Sequence, residues 1–134
     1  METLSMGNLP RISVVIVTYN FAKYLRECID SILAQTLRPC EIVIYDDCST
    51  DESWSIITEY SRKHPGLFVV HRQPRNVGMH VNANTALQRA TGDLVSCLDG
   101  DDRWLPRKLE LEWAAMCHNP EAKIAYSNVY TINA

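Results

Sequence analysis

Hydrophobic positions fall along this chain in two alternating rhythms. The run ISVVIV, residues 12–17, is continuous and β-branched with polar punctuation after it, the pattern of a strand buried on both faces in a parallel sheet. EIVIYDD, LFVVH and DLVSCL repeat it, and KIAYS, residues 123–127, forms a weaker fifth. Between these runs the spacing turns helical. Leu25, Ile29, Ile32 and Leu33 mark one face of residues 21–36, and Trp54, Ile57 and Tyr60 keep the same period. Val81, Leu87 and Ala90 suggest a third helix less cleanly. A fourth begins with Pro106, suited to a first helical turn, and continues through Leu109, Trp113 and Met116.

The order βαβαβαβαβ predicts an α/β, Rossmann-like fold: a mainly parallel sheet with helices on both faces. Parallel strands point the same way, so the loops after Val17, Asp46, His71 and Leu98 gather along one sheet edge, where open α/β sheets bind ligands. With 134 residues, 46% of them hydrophobic, the chain has material for one domain, expected over residues 11–134. METLSMGNLP, residues 1–10, shows no periodicity and reads as a flexible lead-in.

Composition removes several function classes. Thirteen basic against sixteen acidic side chains give a net charge of −3, and no basic run is dense enough to track nucleic acid. Five widely spaced cysteines without a C-x-x-C pair argue against a disulfide framework or a zinc site and fit a reducing compartment. The longest apolar run falls far short of the roughly 20 residues that span a bilayer. The expected setting is cytoplasmic, with the inner face of a membrane open to a longer parent protein.

Three strand ends carry the polar motifs that could do chemistry: TYN (18–20), DDCSTD (46–51) and DGDD (99–102). If their strands are neighbours, the carboxylates of Asp47, Asp99 and Asp101 converge on one crevice. That much negative charge calls for a hard, oxygen-preferring cation, Mg²⁺ or Mn²⁺. Gly100 lets a ligand approach the backbone, and Tyr19 offers a flat aromatic face for a base. Structural roles compete at several of these positions. Asn20 is a good N-cap for the first helix, Ser49 and Glu52 match a capping box for the second, and Asp102 suits the start of the fourth. Asp46 can close its strand or accept loop N–H groups. Trp104 fits either the core or the floor of the site. The histidines at 64, 71, 80 and 118 show no metal-ligand spacing, and Asp93 opens a strand at the opposite edge.

Taken in order, ISVVIVTYN, EIVIYDDCSTDES, RNVGMHVNANTAL and TGDLVSCLDGDDRWLPRKLE strongly resemble the nucleotide-binding half of family 2 glycosyltransferases, which have the GT-A fold. The similarity covers about residues 11–127. The resemblance implies that Thr18 and Tyr19 border the base, with Asn20 in the same motif, and that Asp47 hydrogen-bonds to a uracil or guanine. It implies Asp99 at the ribose and metal, and Asp101 on a Mn²⁺ or Mg²⁺ that bridges the diphosphate. It further implies a UDP- or GDP-sugar donor, a saccharide, lipid or other hydroxyl acceptor, and inversion at the anomeric carbon. Ala83 stands where the family often has an arginine, and the acceptor-binding half with its catalytic acid lies beyond the length present here. No general base is assigned. Two other classes stay open: a receiver-type signalling domain with a Mg²⁺-binding acidic pocket, and a nucleotide-binding fragment without turnover.

Overall fold

The computed structural model describes residues 9–132, so most of the expected lead-in lies outside the described residues. Four strands and four helices alternate as expected: β1 (Ile12–Thr18), α1 (Ala22–Leu33), β2 (Glu41–Asp46), α2 (Ser53–Lys63), β3 (Phe68–Arg72), α3 (Met79–Arg89), β4 (Leu94–Asp99) and α4 (Lys108–His118). All pairings are parallel and the spatial order is β3-β2-β1-β4. The register levels Thr18 with Asp46 on one side of β1 and Val17 with Asp99 on the other. Three motif-bearing strand ends thus stand side by side. Adjacent strands lie about 4.8 Å apart, so the ends of β2 and β4 are separated by about 10 Å.

The helices divide unequally between the faces. Leu25, Ile29 and Ile32 of α1, Ile56, Ile57 and Tyr60 of α2, and Leu109 and Trp113 of α4 pack with Val14, Ile16, Ile42, Ile44 and Leu98 into the larger core. On the other face α3 contributes Ala86 against Val15, Val43 and Tyr45. Here the sequence reading needs correction. Val81 and Leu87 are exposed, whereas Asn82 and Ala86 are the buried positions of α3. The apolar stripe is narrow because Asn82, in phase with Ala86, turns inward to donate to the Tyr45 carbonyl at 2.9 Å.

Two more expectations fail for related reasons. KIAYS is not a strand; residues 121–132 have no regular structure, and Ile124, Tyr126 and Val129 are exposed. In DLVSCL only Leu98 is buried, with Val95 and Cys97 exposed. Among the described residues β4 is an edge strand with one neighbour, and the second-face packing centres on β1 and β2. An apolar run cannot by itself reveal which face goes uncovered.

Away from the motifs, Glu41 ties three elements together. Its Oε1 accepts from Ser13 Oγ at 2.5 Å, Thr91 N at 2.6 Å and Thr91 Oγ1 at 3.0 Å. Ser13 Oγ in turn accepts from Gly92 N at 2.8 Å. Asp93, at the same end, accepts from Arg11 N at 3.3 Å, the structural role expected of it. Burial pushes the Glu41 carboxyl up, but the hydrogen bonds from Ser13 and Thr91 and the charge of Arg11 outweigh it, leaving its pKa below the usual value of 4.5. A lowered carboxyl stabilises the fold above its unfolded pKa, and that contribution fades as pH falls through the folded value. Glu41→Gln keeps a neutral acceptor and loses the charge-assisted part, about 1 kcal/mol. Urea unfolding of the two proteins should show the full difference at pH 7 and its closure as pH drops below 4.5; a difference that persists at pH 2–3 contradicts this assignment.

Candidate active site

The loops after β1 and β2 are stitched together by side chains. Asn20 sits in the left-handed region with φ 57°, a conformation asparagine tolerates better than most residues. Its Oδ1 accepts from Thr50 N at 2.8 Å and Asp51 N at 3.3 Å, while its own N–H donates to Ser49 Oγ at 2.9 Å. Asn20 is therefore not the cap of α1. That helix starts at Ala22 behind Phe21, and its leading N–H groups are satisfied from the β2 loop: Ala22 N donates to Asp51 Oδ2 at 3.0 Å and Phe21 N to Ser53 Oγ at 3.1 Å. Asp51 Oδ1 also accepts from Ser53 N at 2.9 Å. One carboxylate thus faces the positive ends of two helices. Burial raises its pKa, and the hydrogen bonds from Ser53 and Ala22 lower it by more.

The capping box expected of Ser49 and Glu52 is also absent. Glu52 occupies the N-cap position of α2 without a side-chain cap bond, and Ser49 turns back toward the strand. Its hydroxyl donates to Asp46 Oδ1, and its N–H donates to Asp46 Oδ2 at 3.0 Å. Asp46 is 0% exposed and lies 3.5 Å from Arg72 Nε, whose guanidinium also donates to the Ser49 carbonyl at 2.7 Å. A buried carboxylate needs such partners.

Asp47 stands at the same edge and is 3% exposed. Its two oxygens accept from Val77 N at 2.7 Å and Gly78 N at 2.9 Å. This anchors the start of α3, where Gly78 has φ 88° and ψ 152°, a region open essentially to glycine alone. Each oxygen keeps a second lone pair. Thr18 is likewise 3% exposed, while Tyr19 is 43% exposed at the rim.

At the end of β4 the chain turns sharply. Gly100 N donates to the Val17 carbonyl at 3.2 Å and Asp102 N to the Asp99 carbonyl at 3.0 Å. A Cβ on Gly100 would stand 2.8 Å from Thr18 Oγ1 and 3.2 Å from Phe21, so only glycine allows β4 to lie this close to β1. Asp99, Asp101 and Asp102 are exposed, and one oxygen from each lies within 4.8 Å of the others. Partial burial, then the charges of Asp101 and Asp102, push the Asp99 carboxyl upward. Beneath the turn, Cys28 Sγ approaches the Asp99 carbonyl at 3.6 Å. Burial, followed by the charges of Asp102, Asp101 and Asp99, pushes its thiol up to about 12. α4 begins six residues past Asp102, which therefore does not serve its first turn.

These oxygen-only donors suit a hard divalent cation. The Thr18 hydroxyl beside the turn is buried without a hydrogen-bond partner. Sequence reasoning had missed the supporting residues Asp51, Ser53, Arg72, Asn82 and Gln35. Two left a readable signal: Asn82 is polar yet in phase with the buried Ala86 of α3, and Gln35 continues the spacing of Ile29 and Ile32 just past the end of α1. His71 stands near the end of β3, level with Tyr45 and with its ring 4.8 Å from that of Tyr45, and His80 is in the first turn of α3 past Gly78; neither belongs to the carboxylate cluster. Trp104 packs against the larger core, with Lys108 Nζ 4.0 Å above its ring.

Comparison with known proteins gives a consistent result. The family described as Glycosyl transferase family 2 matches residues 13–134. An uncharacterized glycosyltransferase of Nostoc sp. is 44% identical over 100 residues, covering 75% of this chain and 31% of the relative. A mannosyltransferase from Pyrobaculum calidifontis, solved with GDP-Man and Mn²⁺, superposes with a TM-score of 0.70 at 32% identity, over 81% of this chain and 33% of that one. S. aureus TarS 1–349, solved with UDP-GlcNAc, gives 0.73 at 32% identity, over 82% of this chain and 32% of that one. The chain spans about a third of the length of these proteins.

One residue of the site carries backbone strain without a side-chain reason. Cys48 has φ 62° and, unlike Asn20, no recorded side-chain hydrogen bond to support it. Cys48→Gly relieves that strain at the cost of a more flexible unfolded chain, for a net gain of about 0.5 kcal/mol. The urea midpoint should rise at unchanged m-value; a lower midpoint would show that the thiol's packing outweighs the strain.

Proposed function

This chain belongs to glycosyltransferase family 2, and from that premise we propose that it holds the donor nucleotide of a UDP- or GDP-sugar at the carboxyl edge of its GT-A sheet. The sugar passes to a saccharide, lipid or other hydroxyl acceptor with inversion. The observation that carries this reading is the adjacency of the three motif-bearing strand ends, with three carboxylates clustered on the turn after β4.

In this reading each residue has a definite task. Tyr19 presents its exposed face to a uracil or guanine, and Thr18 and Asn20 fix the floor and wall beneath it. Asp47 shapes the base pocket by fixing Val77 and Gly78, and offers its remaining lone pairs to the base. Asp99 faces the ribose and, with Asp101, holds Mn²⁺ or Mg²⁺. Such a cation neutralises charge on the departing diphosphate. Gly100 keeps the two carboxylates close to β1. The five free thiols suit a cytoplasmic setting, and among the described residues no helix is long and apolar enough to cross a membrane.

A receiver-type reading fits less well, because doubly wound receivers place their first strand between the second and third, whereas β1 here lies between β2 and β4. A fragment that binds nucleotide without turnover shares every binding feature above and differs only in transfer. Calorimetric titration with UDP- and GDP-sugars should show binding that strengthens with Mn²⁺. Asp101→Ala should weaken the metal-dependent binding by at least about 10-fold, or about 1.4 kcal/mol. Absence of binding at millimolar ligand, or binding indifferent to Asp101→Ala, overturns the proposal.

A further inference from the structure

The turn that carries Asp99, Asp101 and Asp102 is followed by a connection, residues 103–107, that has no regular structure yet runs against the end of α1. Its backbone is held there by the last turn of α1 and the residues just past it. Trp104 N donates to Ser31 Oγ at 3.0 Å, and Thr36 N donates to the Pro106 carbonyl at 2.9 Å. Gln35 makes the central contacts. Its Nε2 donates to the Leu105 carbonyl at 2.7 Å and the Ser31 carbonyl at 3.1 Å, and its Oε1 accepts from Leu109 N at 3.0 Å.

Leu109 N is one of the leading amides of α4, a helix with no side-chain cap of its own. A helix end left without a partner in the interior is costly. Gln35, 3% exposed, supplies that cap from 74 residues away while gripping the connection just before the helix. The acid-bearing turn is therefore pinned at both sides, by Val17 through Gly100 N, and by Ser31 of α1 and Gln35 just past its end through Trp104 and Leu105.

We propose that Gln35, assisted by Ser31, is a positioning residue for the cation site: it touches neither nucleotide nor metal and sets where Asp101 stands relative to Asp99. This rests on the reading of those carboxylates as metal ligands. A methionine at 35 matches the side chain in length and loses all three hydrogen bonds. The connection then keeps the bonds from Trp104 N to Ser31 and from Thr36 N to the Pro106 carbonyl without the one at Leu105, and the ligand oxygens spread over a wider set of positions. Removing outer supports of this kind typically weakens metal binding 10-fold or more.

The test is Mn²⁺ titration followed by electron paramagnetic resonance, in the presence of UDP or GDP, whichever the wild-type chain binds, with folding checked by circular dichroism. Gln35→Met should raise the Mn²⁺ dissociation constant by about 10-fold, and Ser31→Ala should raise it in the same direction by less. Ile32→Val, which loosens the same helix in the core and removes no hydrogen bond to the connection, should leave it unchanged. Should Gln35→Met not fold, the contrast between Ser31→Ala and Ile32→Val decides. Unaltered Mn²⁺ affinity in the folded Gln35 and Ser31 variants, or equal weakening in Ile32→Val, overturns the inference alone. A wild-type chain that takes up no Mn²⁺ overturns the metal assignment and this inference with it.

Discussion

Everything at the carboxyl edge depends on the two-sided pairing of β1. Its register with β2 and with β4 brings Thr18 level with Asp46 and Val17 level with Asp99. Strand pairing in a buried sheet is not free to slip by one residue, because a slip would send every core side chain to the opposite face. Here that would expel Val14 and Ile16, both fully buried, from the larger core. The placement of the polar motifs is thus enforced by apolar residues that never meet a ligand.

The acidic side chains at this edge divide by how their charge is met. Asp46 and Asp47 are buried and have backbone amides, a hydroxyl or a guanidinium within reach. They spend their charge on holding loops. Asp51 does the same at the junction of α1 and α2. The cluster after β4 differs: among the described residues its three carboxylates have no cationic partner, and their mutual repulsion adds to burial in raising the Asp99 pKa. Solvent screens part of that repulsion at exposed positions. What remains favours any divalent cation that arrives, and this distinguishes the cluster from its better-compensated neighbours.

How much of this could be read beforehand follows from the range of the forces involved. The alternation of strands and helices was legible because β-branched runs and 3.6-residue spacing are local signals. The gathering of TYN, DDCSTD and DGDD at one edge was legible too, since it needs only parallel strands. Local rules misjudged Asn20 as a cap because its partners come from about 30 residues away, and Ser49 because the buried carboxylate of Asp46, three residues back, takes its hydroxyl and N–H; Glu52 makes no side-chain cap bond at all. The apolar face of α3 and the exposure of β4 were misread for a different reason. Apolar content says that a surface can be buried, but which surface is covered depends on the position of β4 at the sheet edge and on where α3 lands.

α1 is where these long-range terms meet. Its first turn is capped by the β2 loop through Asp51 and Ser53, and its last turn with the residues just past it holds the connection after β4 through Ser31, Gln35 and Thr36. Between the two ends, Leu25, Cys28, Ile29 and Ile32 are fully buried against the sheet. A helix of 12 residues spans about 18 Å, enough to reach from one side of the crevice to the structure behind the other. Its apolar face fixes it to the sheet, so its polar ends are not free to follow the loops; the loops must follow them. Rigidity of the crevice therefore originates in a hydrophobic contact, and the hydrogen bonds at the two ends pass it on to the base-side and cation-side residues.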